Sequence, residues 1–237
     1  MVEYQRPRHR AVAHILERLD ARKLKVAKCY FGGGTRIALE LNEYRESQDI
    51  DFICSDLVGY RTLRATIDHG ALGGLLLDGP PGLSLLRDVR ADQYGIRTII
   101  AVHGEPVKFE IILEARITVA AMKLKGVAVP VLDRISCFAE KWLANADRWN
   151  DGAILSRDAI DLAFMLSAWS IAEAQAGAQL AIAAYGDVIG RAARNASNKL
   201  IEDASYRRQC TKALAITDAS RLLSGLRSLA KVAKEMA

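Results

Sequence analysis

The chain has 237 residues, enough for one large domain or two smaller ones with a substantial core. Hydrophobic residues make up 51% and charged residues 26%, which is typical of globular proteins, and no apolar run approaches the roughly 20 residues of a membrane span. The net charge of +5 favours anionic partners. We see no secretory pattern at the start of the sequence, so we expect a cytoplasmic protein without membrane contact.

Neither the cysteines nor the histidines are spaced like metal ligands. The cysteines lie at Cys29, Cys54, Cys137 and Cys210, without a CxxC pair. This spacing argues against a zinc site and a disulfide framework, so we expect buried, reduced thiols. The histidines lie at His9, His14, His69 and His103, without an HExxH pattern. We interpret His14, which has apolar neighbours, as structural.

The first elements alternate between helix and strand. Helical periodicity predicts an amphipathic helix over 8–24, followed by a short apolar strand over 26–31. That strand ends at three glycines, and residues 37–41 then predict a short helix. Alternating apolar residues predict a second strand over 48–54.

The middle of the chain predicts a helix and then a hairpin. The helix covers 57–71, and a glycine- and proline-rich loop covers 70–82. Two strands, 95–102 and 107–113, are joined by a turn at 103–106.

Beyond about residue 130 the sequence becomes rich in alanine and leucine, with helical periodicity through 134–237. We therefore predict an α+β fold, with a mixed α/β domain at 1–130 and a helical domain at 131–237. The final segment, 217–237, predicts a basic amphipathic helix that packs on the body or contacts a partner.

Asp49 and Asp51 are two residues apart in the predicted strand, so their side chains are expected on the same face. Two like charges this close repel each other unless a cation lies between them. Closely spaced carboxylates suit Mg²⁺, which fills the rest of its shell with water and substrate phosphates. Taken alone, the pair fits two solvated strand charges better.

A glycine turn, Gly32-Gly33-Gly34-Thr35, separates the first predicted strand from the next helix. Small residues let a backbone approach a ligand closely, and the N–H groups at a helix start attract anions. The stretch has neither the GxxxxGK[ST] nor the GxGxxG spacing, so it is not a P-loop or a dinucleotide fingerprint. By themselves the glycines fit a tight turn better.

Together, the glycine turn and the aspartate pair resemble the sequence signature of a known family. Gly33-Gly34-Thr35 followed by Ser47-x-Asp49-Ile50-Asp51-Phe52 is similar to the GGT…S-x-DIDF signature of the AbiEii/AbiGii-type nucleotidyltransferase toxins. These toxins belong to the DNA polymerase β-like nucleotidyltransferase superfamily. The resemblance implies a mixed-sheet nucleotidyltransferase core followed by a helical C-terminal domain.

The resemblance also implies roles for these residues. It implies that Asp49 and Asp51 bind the metal. It implies nucleotide binding by Gly33, Gly34, Thr35, Arg36 and Ser47. Arg36 departs from the family pattern, which often has a small or apolar residue there, so it either contacts a phosphate or faces solvent.

A third carboxylate is expected on a later strand of this superfamily, and Glu110 in the apolar stretch 107–112 is the candidate. It would act as general base on the attacking hydroxyl or complete the shell of a second metal ion. Without the resemblance, a surface charge on an edge strand explains Glu110 equally well.

The second half of the chain contains two further stretches that resemble the family, 137–148 and 157–162. Lys141 matches the lysine that is expected to contact the triphosphate. Asp158 and Asp161 are neighbours on one helix face, and one of them is expected to orient Lys141. Without the resemblance, a solvated helix face explains all three better.

The resemblance implies a Mg²⁺-dependent transferase of the EC 2.7.7 type. It would move a nucleoside monophosphate from ATP, GTP, CTP or UTP to an acceptor hydroxyl, as the toxin of a toxin–antitoxin or phage-defence system. The favoured acceptor is the end of tRNA, which suits the basic charge, and a cognate antitoxin is an expected partner. The alternatives are a protein-AMPylating or small-molecule nucleotidyltransferase, and a non-catalytic member that binds a nucleotide or a partner.

Overall fold

A computed structural model describes the chain over residues 4–67, 71–77 and 82–236. Two compact units are formed, one by 1–43 with 47–133 and the other by 44–46 with 134–237. Within the described ranges, no helix has the length and apolar character needed to cross a membrane.

The helices of the first unit lie at Pro7–Glu17 (α1), Ala21–Val26 (α2), Gly33–Glu40 (α3) and Leu57–Ala65 (α4). The single helix predicted over 8–24 is wrong, because Asp20 accepts hydrogen bonds from the backbone N–H groups of Arg22 and Lys23 and so begins a new helix. The helix predicted over 57–71 ends at Ala65. Residues 68–70 and 78–81, which include parts of the predicted helix and of the predicted loop, lie outside the described residues.

The strands are Cys29–Gly32 (β1), Ile50–Cys54 (β2), Leu83–Ala91 (β3), Gly95–Val102 (β4), Glu105–Leu113 (β5), Ala121–Met122 (β6) and Val131–Leu132 (β7). They form one mixed sheet in the order β3-β4-β5-β2-β1-β7-β6. The β2–β5 and β1–β7 pairs are parallel, and the other neighbouring pairs are antiparallel.

The four predicted strands correspond to β1, β2, β4 and β5, and three strands were not predicted. Most of β3 is exposed, so it lacks the alternation of a half-buried strand, and β6 and β7 have only two residues each.

The buried face of the central strands carries three phenylalanines, Phe31, Phe52 and Phe109, from β1, β2 and β5. The ring centroids of Phe31 and Phe52 are 5.8 Å apart, as are those of Phe52 and Phe109. Each ring is fully buried, and the burial of each one contributes about 1.5–3 kcal/mol to the stability of the sheet. Because side chains alternate along a strand, the residues next to each phenylalanine in its own strand project from the opposite face of the sheet.

The second unit is helical, which confirms the prediction for 134–237. Its helices are Arg134–Arg148 (α5), Arg157–Leu166 (α6), Ile171–Tyr185 (α7), Val188–Glu202 (α8), Ala204–Ala213 (α9) and Ala219–Glu235 (α10). The basic amphipathic helix predicted over 217–237 is α10, which packs on α6 and α8 and buries Leu222, Leu226 and Leu229.

All four cysteines are buried and free, as predicted. Cys29 and Cys54 are register partners on β1 and β2, and both are fully buried. They pack as small core residues.

A substitution at Gly225 tests how closely α10 packs on α6. A Cβ added there would lie less than 3.0 Å from the carbonyl oxygen and carbon of Ala163. We expect Gly225→Ala to lower the free energy of unfolding by about 1–3 kcal/mol, because the helices must move apart. Urea unfolding followed by circular dichroism measures this change.

Gly152→Ala is the matched control, because no described atom lies within 4 Å of its added Cβ. We expect this control to change the free energy of unfolding by less than about 0.5 kcal/mol. Equal stability of the two variants would contradict the packing.

Candidate active site

Asp51 lies in a row of register partners that crosses the centre of the sheet. Its neighbours are Gly32 of β1 on one side and Glu110 of β5 on the other. Register partners project from the same face of a sheet, so the Asp51 and Glu110 carboxylates are neighbours. Asp49 precedes β2 by one residue and, like Asp51, is half-buried. The expectation that Asp49 and Asp51 share a face stays a prediction.

Gly33 begins α3 directly beside Asp51. Its φ is +67°, in the left-handed region that favours glycine. A Cβ added at this position would lie less than 3.0 Å from three atoms of the Asp51 side chain. Any other residue would therefore displace the carboxylate, and the absent side chain is what lets the glycine turn and Asp51 meet.

The first turn of α3 has the features of an anion site. Its N-cap residue is Gly32, which has no side chain that could accept hydrogen bonds from the N–H groups of this turn. Backbone N–H groups and the helix dipole at such an end attract anions. Thr35 in this turn is buried, and its hydroxyl lies 2.8 Å from Ser47 Oγ in a hydrogen bond. This bond links the glycine turn to the segment that leads into Asp49.

Glu110 is held by two basic side chains. Lys108 Nζ lies 2.7 Å from Glu110 Oε2, and Arg97 Nε lies 3.3 Å from Oε1. Its strand, β5, lies between β4 and β2 in the sheet, so the explanation of Glu110 as an edge-strand charge is wrong. Arg97 of β4 and Lys108 of β5 therefore hold the carboxylate beside Asp51.

Arg36 is fully buried in the first unit, so the expectation that it faces solvent is wrong. Its Nη1 lies 2.5 Å from Glu40 Oε2, four residues later on α3, and its Nη2 lies 3.5 Å from Met122 Sδ. The ion pair with Glu40 is a helical i,i+4 contact made without solvent screening. The contact between Arg36 and a phosphate stays a prediction.

The carboxylates of Asp49 and Asp51 are of the type that binds magnesium. Among the residues that the structure describes, no three or more His, Cys, Asp or Glu side chains form a group that could hold a metal ion by themselves. Mg²⁺ is usually bound by one or two protein carboxylates together with waters and substrate phosphates. Asp51, beside the start of α3, and Asp49, two residues earlier in the chain, are therefore side chains that fit Mg²⁺.

A second constellation lies in the helical unit, around Lys141 of α5. Its Nζ is 2.9 Å from Asp158 Oδ1 and 2.6 Å from Asp161 Oδ2. Both carboxylates reach it because i and i+3 lie on one face of α6. The three side chains are buried, so they do not form a solvated helix face.

Each aspartate is also bound by an arginine fork. Arg148 donates from Nε and Nη2 to the two oxygens of Asp158, at 2.6 and 3.0 Å. Arg45 donates from Nε and Nη2 to those of Asp161, at 2.6 and 2.9 Å, and the Tyr44 hydroxyl donates to Asp161 Oδ1 at 2.6 Å. Bidentate contacts of this kind fix both the position and the rotation of a carboxylate.

The cations keep both aspartates ionised. Burial raises the pKa of Asp158, but Lys141 and Arg148 outweigh it, so that pKa lies well below its usual range. Burial also raises the pKa of Asp161, and Arg45 and Lys141 lower it further than burial raises it. In this cluster three cations face two carboxylates, which leaves one net positive charge.

Arg45 and Tyr44 were missed by sequence reasoning. They precede the Ser47-x-Asp49 stretch by a few residues, yet they contact a carboxylate more than a hundred residues away. No local periodicity links such positions. The available signal in the sequence was an arginine two residues before Ser47.

Removing one carboxylate tests the charge cluster. Asp161→Asn leaves the buried Arg45 without its carboxylate and Lys141 with Asp158 alone, so we expect the free energy of unfolding at pH 7 to fall by about 3–5 kcal/mol. The pKa of Asp161 is lower in the folded state, so its contribution is full above its unfolded pKa of about 3.9. It is lost as the pH falls toward the folded-state pKa. The difference between wild type and variant should therefore shrink in acid.

Urea unfolding between pH 7 and pH 3 measures this difference. Asp187→Asn is the matched control, because its side chain is 81% exposed and lies 3.8 Å from Arg191. We expect this control to change stability by less than about 1 kcal/mol. A change of similar size in both variants would contradict the account of the cluster.

Comparison with solved structures supports the predicted α+β nucleotidyltransferase fold. One crystal structure, of an H. pylori protein with a provisional assignment as a nucleotidyltransferase, has a TM-score of 0.53 and 16% identity, over 99% of this chain and 96% of that one. Another, of JHP933 from Helicobacter pylori, has a TM-score of 0.53 and 15% identity, over 99% of this chain and 93% of that one. At this identity the likeness shows the fold alone.

The family follows from the sequence match. A search of curated proteins gives no match to the chain. The model of a family described as the nucleotidyl transferase AbiEii toxin of type IV toxin–antitoxin systems matches residues 14–223. Because this match covers most of the chain, the chain belongs to the AbiEii family of nucleotidyltransferase toxins.

Proposed function

We propose that the chain transfers a nucleoside monophosphate from an NTP to an acceptor hydroxyl in a Mg²⁺-dependent reaction. The proposal rests mainly on one observation, the close approach of the Gly33 turn to the Asp51 carboxylate. This contact brings a helix start that attracts phosphates next to acidic side chains that suit a divalent cation.

The nucleotide phosphates are proposed to bind at the start of α3. The backbone of Gly33 and Gly34 would donate N–H groups, and the hydroxyls of Thr35 and Ser47, already hydrogen-bonded to each other, would fix the turn. Asp49 and Asp51 would hold Mg²⁺, which when bound neutralises phosphate charge and orients the substrate.

The acceptor hydroxyl would attack the α-phosphorus in line. A bond forms between its oxygen and phosphorus as the bond to the pyrophosphate oxygen breaks, so pyrophosphate leaves. The hydroxyl proton needs an acceptor, and Glu110 is our candidate because its carboxylate is held beside Asp51 by Lys108 and Arg97. Its alternative role is as the third carboxylate of the metal site.

Lys141 is proposed to contact the triphosphate, with Asp158 and Asp161 as the residues that orient its ammonium group. Both carboxylates contact Nζ, and the cluster keeps one net positive charge. Arg148 is its partly exposed member, with 37% of the side chain accessible. An anion would thus find a cation already held in place.

We propose the acceptor end of tRNA as the acceptor, with a cognate antitoxin as partner of the toxin. The net charge of +5 suits a polyanionic acceptor, because basic residues contribute most of the non-specific affinity for nucleic acid. Protein hydroxyls and small molecules are the alternative acceptors. A member that only binds nucleotide or a partner is the non-catalytic alternative.

The decisive experiment incubates the full-length protein with total RNA and each α-labelled NTP in Mg²⁺. Label on tRNA, dependent on Mg²⁺, is the expected result. Label on protein alone would contradict the RNA acceptor and show that a protein hydroxyl is the acceptor. Absence of label with all four nucleotides would contradict catalysis and favour the non-catalytic alternative.

Asp49→Asn and Asp51→Asn test the carboxylate pair. Each change keeps the size of the side chain and removes the negative charge, so we expect the rate of label transfer to fall by about a thousandfold or more. Single-turnover transfer to the labelled acceptor measures the rate, and growth arrest on expression gives a second readout.

Asp88→Asn is the matched control, because Asp88 is exposed on β3. It should keep the wild-type rate. Wild-type transfer and toxicity in Asp51→Asn would refute the proposed mechanism.

A further inference from the structure

A histidine outside the sequence motif is tied to the proposed nucleotide site. We propose that His9 of α1 is a positioning residue that holds Ser47, and through it Thr35 and the start of β2. The inference rests on the proposed function, since the residues that His9 holds are those proposed to bind phosphate and metal.

His9 is fully buried and uses both ring nitrogens. Its Nδ1 lies 2.7 Å from Glu43 Oε1, and its Nε2 lies 3.2 Å from the backbone nitrogen of Ser47. A backbone N–H can only donate, so Nε2 must carry a lone pair and accept. The proton of the ring is then on Nδ1, which donates to Glu43.

Glu43 is itself fixed as an acceptor. Its carboxylate accepts hydrogen bonds from the backbone N–H groups of Gln5 and Arg6, at 2.7 and 3.0 Å. Burial raises the pKa of Glu43, but these two bonds and His9 more than offset it, so the pKa lies below its ordinary value. An ionised carboxylate offers only lone pairs, which agrees with a proton on Nδ1 of His9.

Ser47 connects His9 to the glycine turn through two hydrogen bonds. Its backbone N–H points to His9, while its hydroxyl forms the 2.8 Å hydrogen bond with Thr35 in the first turn of α3. The contacts therefore run from Glu43 through His9 and Ser47 to Thr35. Ser47 also stands two residues before Asp49, so the same contact holds the backbone that leads into the acidic strand.

The chemistry of the position calls for an imidazole. An apolar side chain could fill the space, but it would leave both the Ser47 N–H and the Glu43 carboxylate without this partner in a buried region. The neutral imidazole is rigid and carries one donor and one acceptor on opposite sides of the ring. Glutamine offers one donor and one acceptor on a more flexible arm.

The test compares His9→Phe, His9→Gln and the matched control His14→Phe in the full-length protein. His14 lies on the same helix, and its ring is 6.0 Å from that of His103. Transfer of label to RNA is measured over a range of NTP concentrations, giving kcat and KM. Circular dichroism and thermal unfolding report whether each variant is folded.

We expect His9→Phe to lower kcat by about tenfold or more and to raise KM for the NTP, because it misplaces the groups proposed to bind the metal and the phosphates. His9→Gln should recover part of the lost kcat, and His14→Phe should match the wild type. Equal kcat values for His9→Phe and His14→Phe would overturn the inference. So would a folded His9→Gln with no recovery.

A measurement on the unmutated protein does not depend on how the variants fold. Nitrogen-15 NMR of the histidine rings should show the Nδ1–H tautomer for His9 at neutral pH, and the Nε2–H tautomer or a doubly protonated ring would overturn the inference. A wild-type protein that labels nothing would instead refute the proposed function, and the role of His9 with it. An active wild type with an indifferent His9 would refute the inference alone.

Discussion

The contact between the glycine turn and the Asp51 carboxylate is the constraint on which the candidate active site depends. At Gly33 the backbone adopts a positive φ, and there is no room for a Cβ beside Asp51. The sheet fixes the carboxylate from both sides, because Gly32 and Glu110 are its register partners. The phenylalanines on the opposite face hold the same strands in the core. The hydrophobic face of the sheet thus fixes the strands that carry Asp51 and Glu110, while both carboxylates are only half-buried.

The buried cluster around Lys141 is stabilised by ion pairs, which must offset the cost of removing charges from water. Moving an ion out of water costs several kcal/mol, and ion pairs in a core are often no more stabilising than apolar side chains. Here Lys141 contacts two aspartates, and each aspartate also contacts an arginine. Such an arrangement is a poor way to gain stability alone. We infer that it serves to hold a cation in a fixed orientation for an anionic ligand.

Local signals in the sequence predicted the central strands and singled out Gly33 and Asp51, which the structure places side by side. Glycine chemistry identified Gly33, strand alternation identified Asp51, and helical texture identified the second unit. Contacts between residues far apart in the sequence could not be predicted in this way. The contacts of His9 with Ser47 and of Arg45 with Asp161 join positions 38 and 116 residues apart, and no short-range pattern reports them. The exposed strand β3 was missed for another reason, since it lacks the apolar alternation on which strand prediction depends.

Crystals grown with Mn²⁺ and a non-hydrolysable NTP analogue would test the central claim most directly, because Mn²⁺ scatters anomalously and accepts the oxygen ligands of Mg²⁺. The account predicts an anomalous peak at bonding distance, about 2.0–2.3 Å, from the carboxylates of Asp49 and Asp51, with the triphosphate at the start of α3. A metal ion bound away from both aspartates, or a triphosphate bound away from Gly33, would contradict it.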